Sequence, residues 1–361
     1  MSCSVGSLDY KGKIKMNDTL FENKFIIGSM RWSFSRLSSF HTCPLEWEWK
    51  YINCNRGCDS AFGQFGSFNH KILEMYYKGE LDFFDLCNFY EEHYEEEVNL
   101  PFPRNAYTDL AQSYYDKGLA YWESFDLTLD DYEILGVEKP VEFKIDNYEF
   151  IGYIDLLLRH KETGEITILD HKSASIKVLK SGKISKSDQA HFLDFQRQLY
   201  LYSIPVIKEY GRVDHLTWNL FKDQNSITIP FNEDDFEAAK KWAIDTIHEI
   251  ENTVEYIPDP SYYYCSSLCS TRMSDFYCPY KYLGMIYDGI YSKCYSQKNK
   301  DYYEYGAAGI TLCDEWKSDK QKFFKWCLDS GYEQGLRLAR YDIEEGFSPD
   351  NCYWDYNDEE D

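Results

Sequence analysis

Residues 150–172 read FIGYIDLLLRHKETGEITILDHK, and this stretch decides the fold. Two runs rich in Ile, Leu and aromatic residues flank KETGE, and such runs on both sides of a glycine-containing turn predict a β-hairpin. Side chains alternate between faces along a strand, so Asp170 and Lys172 share a face while His171 points away. The turn brings Asp155 on the first strand back beside Asp170. The sequence therefore predicts two carboxylates and an ammonium group close together.

A cluster of this composition is suited to phosphodiester hydrolysis. Carboxylate oxygens bind Mg²⁺ or Mn²⁺, which leaves coordination positions for water and a phosphate oxygen. The ion lowers the pKa of its water and offsets charge in the transition state. A nearby lysine can orient the nucleophile or stabilise the phosphate. The alternative is a surface hairpin with ordinary charges, because D-x-K is a common pattern.

The segments on both sides of the hairpin predict further helices and strands. Residues 31–52 predict a helix that Ser35 caps and Pro44 interrupts. A second helix ends at Gly79. The other predicted elements are a glycine-containing loop at 54–66, a helical insert at 81–132, a strand at 133–145, a helix at 190–211, a strand at 215–221, a helix at 233–253 and an aromatic loop at 256–283.

Composition limits the function classes. The chain has 361 residues, 62 acidic and 38 basic side chains and a net charge of −24, so overall charge does not favour nonspecific binding to nucleic acid. With 43% hydrophobic residues it can build a core, so a wholly disordered chain is excluded. No apolar run is long enough for a membrane span, and residues 1–18 lack the apolar centre of a secretion signal. A cytoplasmic protein is expected.

Six pieces of sequence, in order, carry a resemblance to a known family. They are SFSRLSSFHTCPLEWEWKYI, GSFNHKILEMYYKG, GVEKPVEF, GYID, ILDHK and QLYLY. Together they resemble the RecB-like branch of the PD-(D/E)XK nuclease superfamily over about residues 31–282. The resemblance implies an α/β, restriction-endonuclease-like core with a mixed central sheet flanked by helices. It also implies a metal-dependent DNA nuclease, and it favours an exonuclease acting on DNA ends or single strands.

The resemblance assigns roles to individual residues. His70 matches the metal-binding histidine of G-x-x-x-H, and Asp155 and Asp170 match the metal-binding carboxylates. Lys172 matches the catalytic lysine. The remaining matches are Gln198 and Tyr202 for the Q-x-x-x-Y pair and Glu138 for the conserved acid before the central strands. For Tyr202, core packing is the alternative. Glu138 and Glu142 share a strand face, and either supports the site or is a solvated strand charge.

Basic residues follow the predicted site in an otherwise acidic chain. They are Lys177, Lys180, Lys183, Lys186 and Arg197. A local excess of this kind can follow a DNA backbone. A solvated flexible loop is the simpler alternative.

Twelve cysteines in a chain without an export signal suggest metal ligands. Some RecB-like nucleases bind an iron–sulfur cluster through one cysteine before the nuclease core and three after it. The matching residues here are Cys43, Cys265, Cys269 and Cys278, which is the number that [4Fe–4S] requires. The spacing C-x₃-C-x₈-C is looser than the family pattern, and the pair Cys54 and Cys58 permits a zinc site instead. Free buried thiols are the further alternative.

Residues 294–354 resemble a small accessory module of phage HNH-type endonucleases. The matches are Tyr302, Tyr305, Gly306, Gly309, Ile310, Cys313, Trp316, Pro349, Asn351, Cys352 and Trp354. This resemblance implies a small α+β module, a DNA-binding role and a phage-like origin. The acidic tail argues against tight phosphate contact, so a protein-binding or structural module is an equal alternative.

These observations predict four parts: a lead-in at 1–30, a nuclease domain at 31–283, an accessory module at 284–354 and an acidic tail at 355–361. The expected protein is a Mg²⁺- or Mn²⁺-dependent deoxyribonuclease that serves phage replication or recombination and works with the proteins of those processes in the host cytoplasm. The second hypothesis is a catalytically weak nuclease fold that acts as a DNA- or protein-binding assembly factor.

Overall fold

A computed structural model describes residues 23–105, 107–126, 129–259 and 261–356. Its centre is a five-stranded sheet in the order β1-β2-β3-β4-β5, in which β3 and β4 are parallel and all other neighbours antiparallel. The strands are β1 (Tyr132–Ile145), β2 (Tyr148–His160), β3 (Ile166–Lys172), β4 (His215–Leu220) and β5 (Asn225–Pro230). Helices flank this sheet, so the predicted mixed α/β architecture is confirmed.

Eleven helices have both ends within the described residues. They are α1 (Phe34–Thr42), α2 (Pro44–Trp47), α3 (Ala61–Tyr77), α4 (Leu86–Glu97), α5 (Leu110–Glu123), α6 (Gln189–Tyr210), α7 (Glu233–Asn252), α8 (Tyr262–Ser267), α9 (Pro279–Tyr295), α10 (Asp314–Ser318) and α11 (Lys320–Asp329). A π-helical turn, Glu48–Ile52, continues α2, and a 3₁₀ turn, Phe221–Asp223, follows β4.

The first helix of the nuclease segment begins at a different residue from the one predicted. Ser33, not Ser35, caps α1, because its backbone is extended and its Oγ accepts the amide hydrogen of Arg36 at 3.2 Å. Pro44 restarts the helix as predicted, since a proline at the first helical position removes only an amide that would have no partner. Cys43 therefore lies between α1 and α2, where its backbone is extended.

Helix α3 begins earlier than predicted, inside the segment assigned to a loop. Ser60 caps it by accepting the amide hydrogen of Gly63 at 3.0 Å, so Gly63 and Gly66 are helical. Buried Phe65 anchors this first part of the helix. Gly79 follows the helix with φ +74°, the left-handed conformation that glycine adopts at helix ends.

The ends of the sheet also depart from the prediction. Strand β5 was missed, because its segment NSITIP is short and half exposed, and Gln224 makes the turn before it with φ 50°. Residues 23–28 of the predicted loose lead-in are helical, and Ile27 is buried in the main core. The rest of that lead-in and most of the acidic tail lie outside the described residues.

The two faces of the sheet pack against different helices. Ile168 of β3 belongs to a core shared with α1, α6 and α7, whereas the next residue, Leu169, packs beside Tyr77 of α3. Helices α3, α4 and α5 form a further core that includes Phe68, Tyr90 and Trp122. The segment predicted as a helical insert contributes α4 and α5 to this core.

The C-terminal residues have a core of their own. Leu283 and Tyr287 of α9 pack with Trp316 of α10 and Phe323 of α11, beside the two-stranded sheet of β6 (Leu336–Arg340) and β7 (Cys352–Tyr356). Within the described part of the chain, no helix combines the length and the hydrophobicity needed to cross a membrane.

Helix α6 approaches the sheet at a glycine. A Cβ on Gly152 of β2 would lie 2.5 Å from Cε1 of Tyr202, closer than real Cβ contacts allow. We expect Gly152→Ala to push the tyrosine ring away and to lower the free energy of unfolding by about 1–3 kcal/mol, the usual cost of overpacking.

The matched control is Gly289→Ala on α9, where a Cβ would meet no atom within 4 Å. Because alanine is the better helix former, this variant should match or exceed wild-type stability by up to about 1 kcal/mol. Denaturant unfolding of both variants measures the difference, and equal stabilities would contradict the predicted Gly152 contact.

Candidate metal centre and active site

Three potential metal ligands converge from three elements. His70 lies on α3, Glu138 on β1 and Asp155 on β2, and one ligand atom from each lies within 4.8 Å of the other two. Nδ1 of His70 is 3.6 Å from Oδ2 of Asp155. Glu138 lies opposite Asp155, because the pairs on either side of it, Val137–Leu156 and Lys139–Ile154, fix the register.

The backbone at Glu138 has an unusual conformation. Its φ is +48°, in the left-handed region that non-glycine residues rarely adopt and that costs roughly 1–3 kcal/mol at an enforced site. Glu142, which shares its strand face in the sequence pattern, instead forms an exposed ion pair with Arg31 at 2.7 Å. The structure thus separates two acids that the pattern left equivalent.

Asp170 and Lys172 form a second group beside the first. Lys172 Nζ lies 2.8 Å from Oδ2 and 3.1 Å from Oδ1 of Asp170. Gln198 of α6 connects both residues, since its Oε1 accepts from Lys172 at 2.9 Å and its Nε2 donates to Asp170 at 3.1 Å. The predicted neighbourhood of Asp155, Asp170 and Lys172 is therefore present, with Gln198 in contact with it.

Tyr202 lies one helical turn after Gln198 and is buried against Gly152. Its hydroxyl is hydrogen-bonded to Gln198, and burial raises the pKa of Tyr202, with the nearby charges of Asp170 and Asp155 adding to the shift. Tyr202 therefore packs in the core, close enough to Asp170 and Asp155 for their charges to act on its hydroxyl.

His171 points to the other face of the sheet, as the alternation predicts. Its ring stacks on Tyr77 of α3, and its Nδ1 lies 2.9 Å from Nδ2 of Asn219. Its backbone amide donates to Oδ2 of Asp155 at 2.7 Å. This hydrogen bond ties the carboxylate on β2 to the end of β3 and orients it.

Burial makes these carboxylates reluctant to ionise without a cation. It raises the pKa of Asp170 to about 6 although Lys172 opposes the shift, and it also raises the pKa of Asp155. It raises the pKa of Glu138 to about 7, with repulsion from Asp155 adding to the effect. Burial lowers the pKa of His70, which keeps an imidazole nitrogen free to bind metal.

The donor set fits a divalent cation. Carboxylate oxygens with one imidazole nitrogen suit Mg²⁺ or Mn²⁺. Oδ2 of Asp170 supports this fit, because it is buried and accepts no hydrogen bond within the described part of the chain, with the Lys172 ammonium 2.8 Å away. A buried carboxylate oxygen in this state has a lone pair available for a cation.

The predicted basic residues divide into two sets. Residues 177–185 form a small hairpin, joined by a bridge between Val178 and Ile184, and its exposed lysines are Lys177, Lys180 and Lys183, with Lys186 just beyond. Arg197 lies elsewhere: it pairs with Asp194 at 2.7 Å and stacks over Trp242 of α7. The lysines therefore lie in the exposed segment that follows β3 in the chain, whereas Arg197 contacts α7.

The four cysteines of the predicted cluster line one cavity of about 190 Å³. Cys43 comes from the junction of α1 and α2. The segment predicted as an aromatic loop contains helix α8, which carries Cys265, and Cys269 and Cys278 lie between α8 and α9. Glu46 joins the two segments, because it accepts hydrogen bonds from the Ser270 amide at 2.8 Å and the Tyr264 hydroxyl at 2.5 Å.

The other cysteine pair lies outside this cavity. Cys54 is exposed, and Cys58 donates to the carbonyl of Ser270 at 3.0 Å. Burial raises the pKa of Cys43 to about 12 and that of Cys269 to about 11, so without a metal these thiols are protonated.

Comparison with known proteins identifies the nuclease part of the chain. Residues 31–281 match the sequence profile of the PD-(D/E)XK nuclease superfamily. No curated protein matches the chain. A crystal structure from Eubacterium rectale that carries a provisional exonuclease name is 12% identical, covers 76% of this chain and 95% of its own, and has a TM-score of 0.41. Because this identity and this TM-score are low, the family assignment rests on the sequence match of residues 31–281.

The two acids on β1 provide a test of the metal centre. We expect Glu138→Gln to weaken Mn²⁺ binding at least about tenfold, since it removes a charged oxygen ligand from a buried site. Glu142→Gln, the control on the same strand, should bind Mn²⁺ like wild type. Isothermal titration calorimetry of the two variants measures the difference, and equal affinities would remove Glu138 from the site.

Proposed function

Because the chain belongs to the PD-(D/E)XK nuclease superfamily, we propose that it is a Mg²⁺- or Mn²⁺-dependent deoxyribonuclease that hydrolyses phosphodiester bonds. One observation supports the proposal above all others: Asp155, Asp170 and Lys172 are all retained and lie together beside His70 and Glu138. A fold that had become only a binding platform would be expected to lose at least one of them.

His70, Glu138, Asp155 and Asp170 are the residues that would hold the divalent ion. When bound, the ion supplies Lewis acidity to a phosphate oxygen and lowers the pKa of a water molecule. Because they lie on helix α3 and on strands β1, β2 and β3, the ligands are held in place before the substrate arrives, as preorganised electrostatic catalysis requires.

In this proposal Lys172 positions or activates the attacking water and stabilises the phosphate. Its ammonium is held between Asp170 and Gln198, which limits its movement. Gln198 also binds Asp170, so it fixes the distance between ammonium and carboxylate. Tyr202 supports Gln198 from one turn below. Lys177, Lys180, Lys183 and Lys186 are proposed to follow the DNA backbone as it leaves the site.

An exonuclease that acts on DNA ends or single strands in phage replication or recombination is the specific role we propose. Its support is the resemblance of residues 31–282 to RecB-like nucleases and of residues 294–354 to the accessory module of phage endonucleases. In this role residues 294–354 bind DNA or a phage replication protein beside the nuclease core.

The activity is tested with end-labelled single- and double-stranded DNA in Mg²⁺, Mn²⁺ or EDTA. We expect cleavage only with a divalent ion, and Asp170→Ala and Lys172→Ala should each lower the rate at least about a hundredfold, because each removes a group that stabilises the transition state.

Lys144→Ala is the matched control, since Lys144 forms an exposed ion pair with Glu149 at 3.0 Å. It should cleave at the wild-type rate. Metal-dependent cleavage that persists in both site variants would refute the assignment, and a wild type that binds DNA without cleaving it would favour the assembly-factor hypothesis.

We further propose that Cys43, Cys265, Cys269 and Cys278 bind an iron–sulfur cluster. Any two thiolates on one zinc ion lie within about 4.6 Å of each other, because each Zn–S bond is about 2.3 Å. No three of these four sulfurs lie within 4.8 Å of one another. The cavity between them is therefore wider than zinc requires, which favours a polynuclear cluster.

Metal analysis and visible absorption of protein purified without oxygen test this site. We expect about four irons per chain, loss of iron and colour in Cys269→Ala, and wild-type behaviour in Cys54→Ala, the exposed control. A colourless wild type that contains zinc would exclude the cluster, and one without either metal would exclude a metal site.

A further inference from the structure

Lys222 lies at the same edge of the sheet as the catalytic lysine. Strands β3 and β4 run parallel, and Lys172 pairs with Leu220 at their carboxyl ends. Lys222 is two residues further along, in the 3₁₀ turn Phe221–Asp223. The backbone of Lys222 therefore lies near the carboxyl end of β3, where Lys172 is the last strand residue.

The Lys222 side chain is half-buried among aromatic rather than acidic groups. Its Nζ lies 5.2 Å from the ring centre of Tyr114 on α5 and 3.4 Å from the tyrosine hydroxyl. No carboxylate of the described residues lies within 4.0 Å of it as an ion-pair partner. The adjacent Asp223 accepts a hydrogen bond from Ser175 at 2.8 Å. The charge of Asp223 acts on this ammonium, but within the described residues the acidic chain, with a net charge of −24, leaves it out of ion-pair contact.

His191 and Phe195, one turn apart on α6, lie beside Lys172, and the charge of Lys222 also acts on His191. Lys172 Nζ lies 5.2 Å from the Phe195 ring, which lies 4.6 Å from the His191 ring. Burial lowers the pKa of His191, and the positive charges of Lys172 and Lys222 add to this effect. The two lysines therefore act on one shared environment beside the site.

We infer that Lys222 binds a backbone phosphate of the DNA strand, next to the phosphate that is cleaved. The inference rests on the proposed nuclease function and adds a substrate-positioning residue to it. A half-buried ammonium over an aromatic face lacks a partner anion, and a phosphate oxygen supplies one. Its position beside Lys172 places that phosphate at a neighbouring nucleotide.

The test measures binding of a single-stranded oligonucleotide in Ca²⁺, with salt concentration as the variable. Lys222→Met keeps most of the side-chain volume and removes the charge. We expect about tenfold weaker binding and a slope of log affinity against log salt that is smaller by about 0.7, which corresponds to one lost phosphate contact. Lys222→Arg should restore the slope.

Lys241→Met is the matched control, because Lys241 is exposed on α7 and paired with Asp245. A second measurement uses oligonucleotides in which one phosphate at a time is a neutral methylphosphonate. Wild type should bind more weakly when the methylphosphonate replaces one particular phosphate flanking the cleavage site. The same replacement should not weaken binding by Lys222→Met any further, because the contact is already absent. A merely structural role for Lys222 would not produce this coupling.

The outcomes separate the inference from the function on which it rests. If wild type binds DNA and Lys222→Met shows the same affinity, salt slope and methylphosphonate pattern, Lys222 does not bind phosphate. If wild type binds no DNA in Ca²⁺, the proposed nuclease function fails and the inference fails with it.

Discussion

The structure depends on the burial of carboxylates that have too few positive partners. Asp170 is almost fully buried, and Lys172 is the one cation that contacts it among the described residues. Asp155 and Glu138 lie close by with no lysine or arginine in ion-pair contact in that part of the chain. Burial raises the pKa values of all three acids, and repulsion from neighbouring carboxylates adds to the shift at Glu138 and Asp170. A divalent cation relieves this repulsion, and that is the physical reason to expect one.

Rigid elements on both sides hold the carboxylates in this arrangement. The register of β1 and β2 sets Glu138 opposite Asp155, and the amide of His171 holds Asp155 from β3. Helix α6 contacts Asp170 and Lys172 through Gln198, and it can approach because residue 152 is a glycine. Helix α3 supplies His70 from the opposite face. Sites built on strands and helices in this way are more precise than sites on loops.

Charge is distributed unevenly over the protein, and this distribution would determine which part of the surface attracts DNA. The chain is strongly acidic, yet lysines gather after β3 and at the end of β4. A polyanion is repelled by most of the surface and attracted at one edge of the sheet, where the carboxylates and Lys172 lie. If the protein binds DNA as proposed, such a distribution would restrict DNA to a short contact instead of a broad nonspecific one.

The cysteine loop shows how distant parts of the chain are brought together. Glu46 binds Ser270 and Tyr264 across more than 200 residues, and the Trp49 ring contacts Phe276, so hydrogen bonds and aromatic packing join the ends of the nuclease core. Four thiols then face one cavity. A bound cluster would strengthen a junction that the polar contacts already form.

The sequence by itself determined the hairpin, the face shared by Asp170 and Lys172, and the mixed α/β class, because strand alternation and turn chemistry are local properties. The order of the sequence motifs also predicted the PD-(D/E)XK nuclease superfamily, which the match over residues 31–281 confirms. The tertiary structure distinguished Glu138 from Glu142. It also packed Arg197 of α6 against Trp242 of α7 and placed the turn that contains Lys222 next to the end of β3. Those outcomes depend on a left-handed backbone at one residue, on helix packing and on parallel strand pairing. Helix packing and strand pairing join residues that are far apart in the chain, and a left-handed backbone at a glutamate is uncommon, so local patterns do not reveal these outcomes.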